Sequence, residues 1–223
     1  MLFRSASALE PQSVGELPAK EAYKNLERVA LLTSPPFSEE IKLVLKVSHN
    51  LHASTLPLLT ASRHGKRTLR EGLRLQREFL VRAGVPTDGL SFGGGAGGSR
   101  ADFISPRCAV KLLRAMSRRP DFAVYRAGLP ILGVDGTLAS AVDPASPAKG
   151  KAFAKTGTYT VRNDLTDRYL LTSKALAGYL KSAKGRDLVF AFYVNNVPLE
   201  KISDKEDVGK ALGKLCEVFH LAY

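Results

Sequence analysis

The fold is decided by a stretch near the end of the chain, from Lys151 to Asn196, which reads KAFAKTGTYTVRNDLTDRYLLTSKALAGYLKSAKGRDLVFAFYVNN. β-branched and aromatic residues recur through it, and Ala183-Lys184-Gly185-Arg186 supplies a tight turn between two apolar runs. The pattern predicts three antiparallel strands near residues 151–162, 168–181 and 187–195. The run at 189–194 is apolar throughout, so we expect this strand to be central and covered on both faces.

Helical patterns lie on both sides of these strands. The clearest spans 68–83, where an apolar stripe follows Thr68 and Gly84 stands at the C-terminal cap. Further helices are predicted from Ser38, as N-cap, to Val47, over 51–61, from Ser105-Pro106 to about 116, and from about 204 to the end. On the last helix we expect Val208, Leu212, Leu215 and Phe219 on one buried face. Glycine-rich residues 89–99 predict an irregular loop that passes close to another segment. This order of elements predicts an α+β fold.

Composition sets limits on the class of protein. The 223 residues are 44% hydrophobic and 24% charged, which is ordinary for a folded domain, and no apolar run of about 18 residues predicts a membrane span. The net charge of +12 allows nucleic-acid binding, but the basic residues are spread along the chain and a polyanionic envelope would suit them equally. Cys108 and Cys216 are either buried thiols or one disulfide. No residue spacing indicates a metal or cofactor.

Two short motifs carry the chemistry. Ser48-His49-Asn50 connects two predicted helices, and Lys155-Thr156-Gly157 lies on a predicted strand that continues into Thr158. Each motif alone is weak, because Ser and Asn routinely cap helices and a KTG sequence can simply end a strand. Together, in this order and on these elements, they match two of the three motifs of serine penicillin-recognising enzymes.

The flanking segments extend this match. SPPFSEEIKLVLKVSHNLHA, GGGAGGSRADFISPRCAVKLL and LPILGVDGTLA occur in the order in which similar segments occur in the D-alanyl-D-alanine carboxypeptidase/endopeptidase branch of the serine penicillin-binding proteins, and the chain resembles this branch over about residues 30–222. The resemblance implies an incomplete β-lactamase/transpeptidase-like fold, with residues 31–223 as its C-terminal part and 1–30 as a lead-in. It further implies a serine-type carboxypeptidase outside the cytoplasmic membrane that uses no cofactor. Its partners would be peptidoglycan stem peptides and β-lactams, with no nucleic acid.

The resemblance also implies roles for individual residues. Ser48 would relay a proton, and Asn50 would bind the substrate amide. Lys155 and Thr156 would hold the terminal carboxylate of a D-Ala-D-Ala peptide. Gly157 would let that peptide lie close to the strand edge, which Thr158 extends.

The third motif, SxxK, supplies the nucleophile in this family. Only Ser146-Pro147-Ala148-Lys149 has its spacing here, and it lies in a Pro- and Ala-rich stretch that predicts a surface turn. We therefore expect a truncated form of a longer enzyme, with an exposed sheet edge that favours association. The alternative is a non-catalytic remnant or binding protein that keeps the substrate-binding geometry.

Overall fold

The structure is a computed structural model that describes residues 19–28 and 30–223. The expected lead-in over residues 1–30 therefore falls mostly outside the described residues, and the boundary at residue 31 stays a prediction. Within the described part of the chain, no helix is both long enough and apolar enough to cross a membrane.

Helices and strands follow each other as an α+β protein requires. Three helices come first, α1 (Phe37–Lys46), α2 (Asn50–Arg63) and α3 (Leu69–Arg82), followed by the short strands β1 (Leu90–Ser91) and β2 (Phe103–Ile104). Two helices, α4 (Pro106–Met116) and α5 (Phe122–Gly128), precede the main strands β3 (Ala152–Asn163), β4 (Arg168–Lys181) and β5 (Asp187–Leu199). Helix α6 (Lys205–Ala222) closes the described chain. Mixed helices and an antiparallel sheet were predicted, and both are confirmed.

The main sheet has the order β3-β4-β5, with antiparallel neighbours. Within the described residues β4 occupies the centre and β5 lies at an edge, so the prediction that the strand at 187–195 is central is wrong for this part of the chain. The apolar run at 189–194 reflects cover on both faces, since α4 and α6 each contact β5. Pro198 within β5 was the sequence signal for an edge, because proline has no N–H to donate to a neighbouring strand.

Two apolar cores lie on opposite faces of the sheet. On one face, Leu113, Leu129 and Tyr179 pack with residues of α1, α4 and α5. On the other face, Leu176, Phe190 and further residues pack under α6. Helices therefore cover both faces of the sheet at β4 and β5, and the start of β3 contributes Phe153 to the first core and Ala152 and Ala154 to the second.

The buried face of α6 differs from the predicted one. Leu212 is buried and Phe219 packs against the core, as predicted, whereas Leu215 is 40% exposed and Gly213, Cys216 and His220 are buried in addition. The helix turns this way because Gly213 rests against the backbone, where an added Cβ would lie 2.1 Å from Ala141 O. A pattern of large apolar residues does not show this contact, which decides the rotation of the helix. Both cysteines are buried and free, so the disulfide alternative is wrong.

Local signals account for several boundaries. Thr68 and Glu71 form a reciprocal capping box at the start of α3, and Gly84 follows its end with φ +71°. Ser105 caps α4 as predicted, by accepting a hydrogen bond from Cys108 N. The prediction for α1 is wrong by two positions, because Pro36 is the N-cap and Ser38 lies inside the first turn.

The glycine-rich segment is close to another element, as expected. An added Cβ at Gly95 would lie 2.0 Å from Ala53 O in α2, so only glycine fits there. The segment is not irregular throughout, because Leu90–Ser91 pairs with Phe103–Ile104.

Candidate active site

The junction between α1 and α2 positions the first motif. Ser48 has φ +60°, a left-handed conformation that is uncommon for a residue with a Cβ. His49 is the N-cap of α2, and its Nδ1 accepts a hydrogen bond from His52 N at 3.3 Å. Asn50 is the first residue of α2 and is exposed. Because His49 provides the cap, the helix does not use the Ser48 hydroxyl.

Lys155 joins the two motifs. It lies on β3 with its side chain half-buried, and its Nζ donates to Ser48 Oγ at 2.8 Å and to Thr156 O at 2.7 Å. Burial lowers the pKa of Lys155 from its ordinary value of 10.5 to about 8. With a pKa of about 8, the Lys155 side chain is mostly charged at pH 7, and a negative charge placed beside it would raise this pKa.

The outer edge of β3 is hydrogen-bonded to another segment only at its start. Its first residues are paired, because Ala154 N donates to Pro130 O and Leu132 N donates to Ala152 O, each at 3.0 Å. From Lys155 onward no strand lies on that side within the described chain. Gly157 and Thr158 are both exposed there. An extended peptide could add to the sheet at this point.

Gly157 is not required by the protein's own packing. An added Cβ would meet only Ala175 Cβ, at an ordinary contact distance of 3.6 Å. Its φ is also not in the left-handed range. The absence of a side chain therefore leaves free space beside the exposed edge of the strand.

Sequence reasoning missed three residues beside the site. Thr137, on the 3-10 helix Gly136–Leu138, has its Oγ1 2.8 Å from Thr156 Oγ1. Lys46 Nζ donates to Asp135 Oδ2 at 2.5 Å and thereby ties the end of α1 to the loop that carries Thr137. The segment LPILGVDGTLA contains two of these residues, but only the folded chain brings them next to Ser48 and Thr156.

Ser146 has no nucleophile geometry. Its hydroxyl donates to Glu217 Oε2 at 2.7 Å and accepts from Ala148 N at 3.3 Å, whereas Lys149 is exposed. The residues form a turn before β3, as predicted, but Ser146 itself is buried and not on the surface. The serine of the only SxxK spacing in the chain therefore holds α6 against this turn through Glu217.

Two grooves lie away from these motifs. One, of about 690 Å³, runs between α3 and residues 87–93, and the other, of about 530 Å³, lies between residues 140–143 and α6. None of the predicted site residues lines either groove. The motifs instead form an open ledge beside the edge of β3.

The sequence is similar to a family of known proteins. The model of the family described as D-Ala-D-Ala carboxypeptidase 3 (S13) matches residues 9–216. A D-alanyl-D-alanine carboxypeptidase from Actinomadura sp. is 32% identical over 189 residues, which are 82% of this chain and 32% of the relative. The D-alanyl-D-alanine carboxypeptidase DacB from Haemophilus influenzae is 25% identical over 175 residues, which are 77% of this chain and 34% of the relative.

Solved structures show the same fold. Penicillin binding protein 4 from Haemophilus influenzae superposes with a TM-score of 0.69 at 21% identity, over 83% of this chain and 40% of that structure. The TLA-1 extended spectrum β-lactamase superposes with a TM-score of 0.57 at 17% identity, over 82% of this chain and 62% of that structure. The chain spans about a third of the length of the curated relatives it matches.

Proposed function

Since the chain belongs to the D-Ala-D-Ala carboxypeptidase 3 (S13) family, we propose that it carries the substrate-binding wall of a serine-type D-Ala-D-Ala carboxypeptidase site. One observation carries the proposal, the 2.8 Å contact between Lys155 Nζ and Ser48 Oγ. This contact joins two residues that are 107 positions apart, and it places the ammonium group of the second motif against the serine of the first, beside an open strand edge. The substrate class is a peptidoglycan stem peptide, and a β-lactam would occupy the same ledge.

Each residue has a chemical role in this proposal. The Lys155 ammonium and the Thr156 hydroxyl bind the terminal carboxylate, which can only accept hydrogen bonds. Asn50 binds the amide of the penultimate residue, and the edge at Gly157 and Thr158 pairs with the peptide backbone. The same contacts would serve a carboxypeptidase or an endopeptidase.

The reaction needs a nucleophile that these residues do not provide. A serine would attack the penultimate carbonyl, the peptide bond would break, and the departing D-Ala amine would receive the proton relayed by Ser48. Water would then hydrolyse the acyl-enzyme ester. We propose that the SxxK serine and its lysine belong to a segment outside residues 1–223, because Ser146 is engaged by Glu217.

Binding can be measured without the nucleophile. Isothermal titration calorimetry with diacetyl-L-Lys-D-Ala-D-Ala should show that Lys155→Met weakens binding by roughly 10–100-fold, the range expected for loss of a charged hydrogen bond. Lys149→Met, at an exposed lysine six positions upstream, should bind like the wild type. Equal affinities for wild type and Lys155→Met would contradict the proposal.

A second candidate function is a non-catalytic remnant that binds the same ligands. The engagement of Ser146 by Glu217 favours it for the isolated chain. Incubation with a fluorescent penicillin, followed by denaturing electrophoresis and intact mass, separates the two when SxxK is restored: a longer form that carries SxxK should form a covalent adduct if it is an enzyme and none if it is a remnant. The isolated chain should form no covalent adduct, whereas an adduct would identify a serine nucleophile within these residues.

Two further parts of the proposal concern the setting of the protein. We propose that it acts outside the cytoplasmic membrane, where peptidoglycan stem peptides lie, and fractionation of producing cells would test this placement.

The outer edge of β5 has no partner strand within the described chain, so we also propose that it pairs with another chain or segment.

A further inference from the structure

Thr137 touches the proposed carboxylate subsite without belonging to either motif. In the structure, Thr156 Oγ1 donates a hydrogen bond to Thr137 Oγ1 at 2.8 Å, and Thr137 is exposed whereas Thr156 is half-buried. The next residue, Leu138, is 2% exposed and packs in the core under α6. Thr137 therefore stands at the surface on a turn that is anchored in the core.

The chemistry of two paired hydroxyls limits what each can do. A hydroxyl has one proton to donate, whereas a carboxylate can only accept. If Thr156 directs its proton to the carboxylate of a ligand, its hydrogen bond to Thr137 has to reverse, and Thr137 then becomes the donor. In that state Thr137 satisfies one lone pair of Thr156, and the Thr156 proton is free for the ligand.

The position of Thr137 is fixed by a second contact, the Lys46–Asp135 clamp. Lys46 Nζ donates to Asp135 Oδ2 at 2.5 Å and to Leu129 O at 3.0 Å, while Asp135 Oδ1 accepts from Ile131 N at 2.8 Å. Gly136 has φ +58°, and an added Cβ would lie 2.5 Å from Lys46 O. The loop before Thr137 therefore lies directly against the backbone of α1 at Lys46, which is two residues before Ser48.

These contacts close into a ring. From the end of α1, Ser48 contacts Lys155, whose chain neighbour Thr156 contacts Thr137. From Thr137, the loop returns through the Lys46–Asp135 clamp to α1. The two groups proposed to bind the carboxylate are thus held from both sides by one connected structure.

We propose that Thr137 is a specificity-determining residue of the carboxylate subsite: when a ligand binds, the hydroxyl of Thr137 becomes the donor to Thr156, so that Thr156 presents its own proton to the terminal carboxylate of the ligand. This inference rests on the proposed function. It predicts that Thr137 matters for ligands that end in a free carboxylate and has little effect on ligands that end in an amide.

The test compares two ligands on the same chain. Isothermal titration calorimetry would measure the affinities of diacetyl-L-Lys-D-Ala-D-Ala and of its C-terminal amide. Thr137→Val and Thr137→Ala should weaken binding of the acid by about 3–10-fold, the range of a single hydrogen bond, and leave binding of the amide unchanged. Thr137→Ser, which keeps the hydroxyl, should retain the wild-type ratio of acid to amide affinity.

Thr60→Val is the matched control, because the Thr60 hydroxyl is exposed and bonds only within its own helix, to Leu56 O. A purely structural role for Thr137 would lower the affinities for both ligands equally and would overturn the inference. An unchanged acid-to-amide ratio in Thr137→Val and Thr137→Ala would overturn it too, with the proposed function intact. A wild-type chain without preference for the acid would refute the proposed function, and this inference with it.

Discussion

At the scale of single residues, Lys155 couples the site to pH. Burial holds the pKa of Lys155 at about 8, below its ordinary value of 10.5. The folded protein therefore loses this proton at a lower pH than the unfolded chain does. Because the unfolded chain binds more protons between about pH 8 and 10.5, this group makes the folded state more stable as the pH rises through that window.

The same shift gives a prediction for ligand binding. A bound carboxylate favours the charged lysine, so affinity for diacetyl-L-Lys-D-Ala-D-Ala should be level below about pH 7 and fall above pH 8, by at most tenfold per pH unit. Calorimetry in two buffers of different ionisation enthalpy should show proton uptake on binding near pH 8. The C-terminal amide of the peptide is the control and should show a weaker dependence. Level affinity for the acid from pH 6 to 10 would contradict the assignment of Lys155.

The predicted site residues differ in how far the sequence could determine them. Lys155, Thr156 and Gly157 are adjacent on one strand, so finding that strand also fixed their order and their alternation between faces. The proximity of Ser48 to Lys155 could not follow from periodicity, since 107 residues separate them, and it was expected only from the resemblance to a family. Thr137 was missed because its contact depends on a three-residue 3-10 turn and on the clamp behind it.

At the scale of elements, substitution by alanine should have a small effect on stability at one strand glycine and a large effect at another. Gly157→Ala should change the free energy of unfolding by less than about 0.5 kcal/mol, because its Cβ would meet only Ala175 Cβ at 3.6 Å. Gly178→Ala should destabilise the protein by about 1–3 kcal/mol, because its Cβ would lie 2.2 Å from Phe153 O in β3. Urea denaturation would measure both values.

Ligand affinity should follow the reverse order. Gly157→Ala should weaken binding of the D-Ala-D-Ala peptide by tenfold or more, since the methyl group would occupy the exposed edge where the peptide lies. The folded fraction of Gly178→Ala should bind with nearly wild-type affinity, because Gly178 lies on the central strand β4, away from that edge. Wild-type affinity in Gly157→Ala would contradict the proposed binding edge.

Element types were more predictable than the relations between elements. Capping residues and periodicity located α3, α4 and the three main strands, because these signals act within a few residues of chain. Within the described residues the central strand is β4 and not the predicted β5, because an apolar run indicates covered faces and carries no information about the edges of a strand. The buried face of α6 was predicted correctly at Leu212 and wrongly at Leu215, because the close contact of Gly213 with Ala141 O depends on the absence of a side chain and leaves no apolar signal in the sequence.

At the scale of the whole molecule, the chain presents an unpaired edge and exposed apolar side chains. The outer edge of β5 has no partner in the described residues, and α6 exposes Leu215, Val218 and Leu221. Unpaired edges and apolar patches both favour association. The high net charge of +12 opposes non-specific association at low ionic strength.

We therefore expect association that depends on concentration and is favoured by salt. Size-exclusion chromatography with light scattering should show a mass that increases with protein concentration and with added salt. Hydrogen–deuterium exchange should show protection at residues 187–199 in the associated form. A monomer at all concentrations, or protection confined to α6, would contradict pairing at the β5 edge.

The central claim is that Ser48, Lys155 and Thr156 form one ligand site on an open strand edge. The most direct test is a titration of the ¹⁵N-labelled 223-residue chain with diacetyl-L-Lys-D-Ala-D-Ala, followed by NMR, with the L-Ala-L-Ala peptide as control. The account predicts saturable shifts at residues 48–50, 137 and 155–158, which the control does not produce and which Lys155→Met abolishes. Shifts that cluster in the groove between α3 and residues 87–93, or no difference between the two peptides, would contradict it.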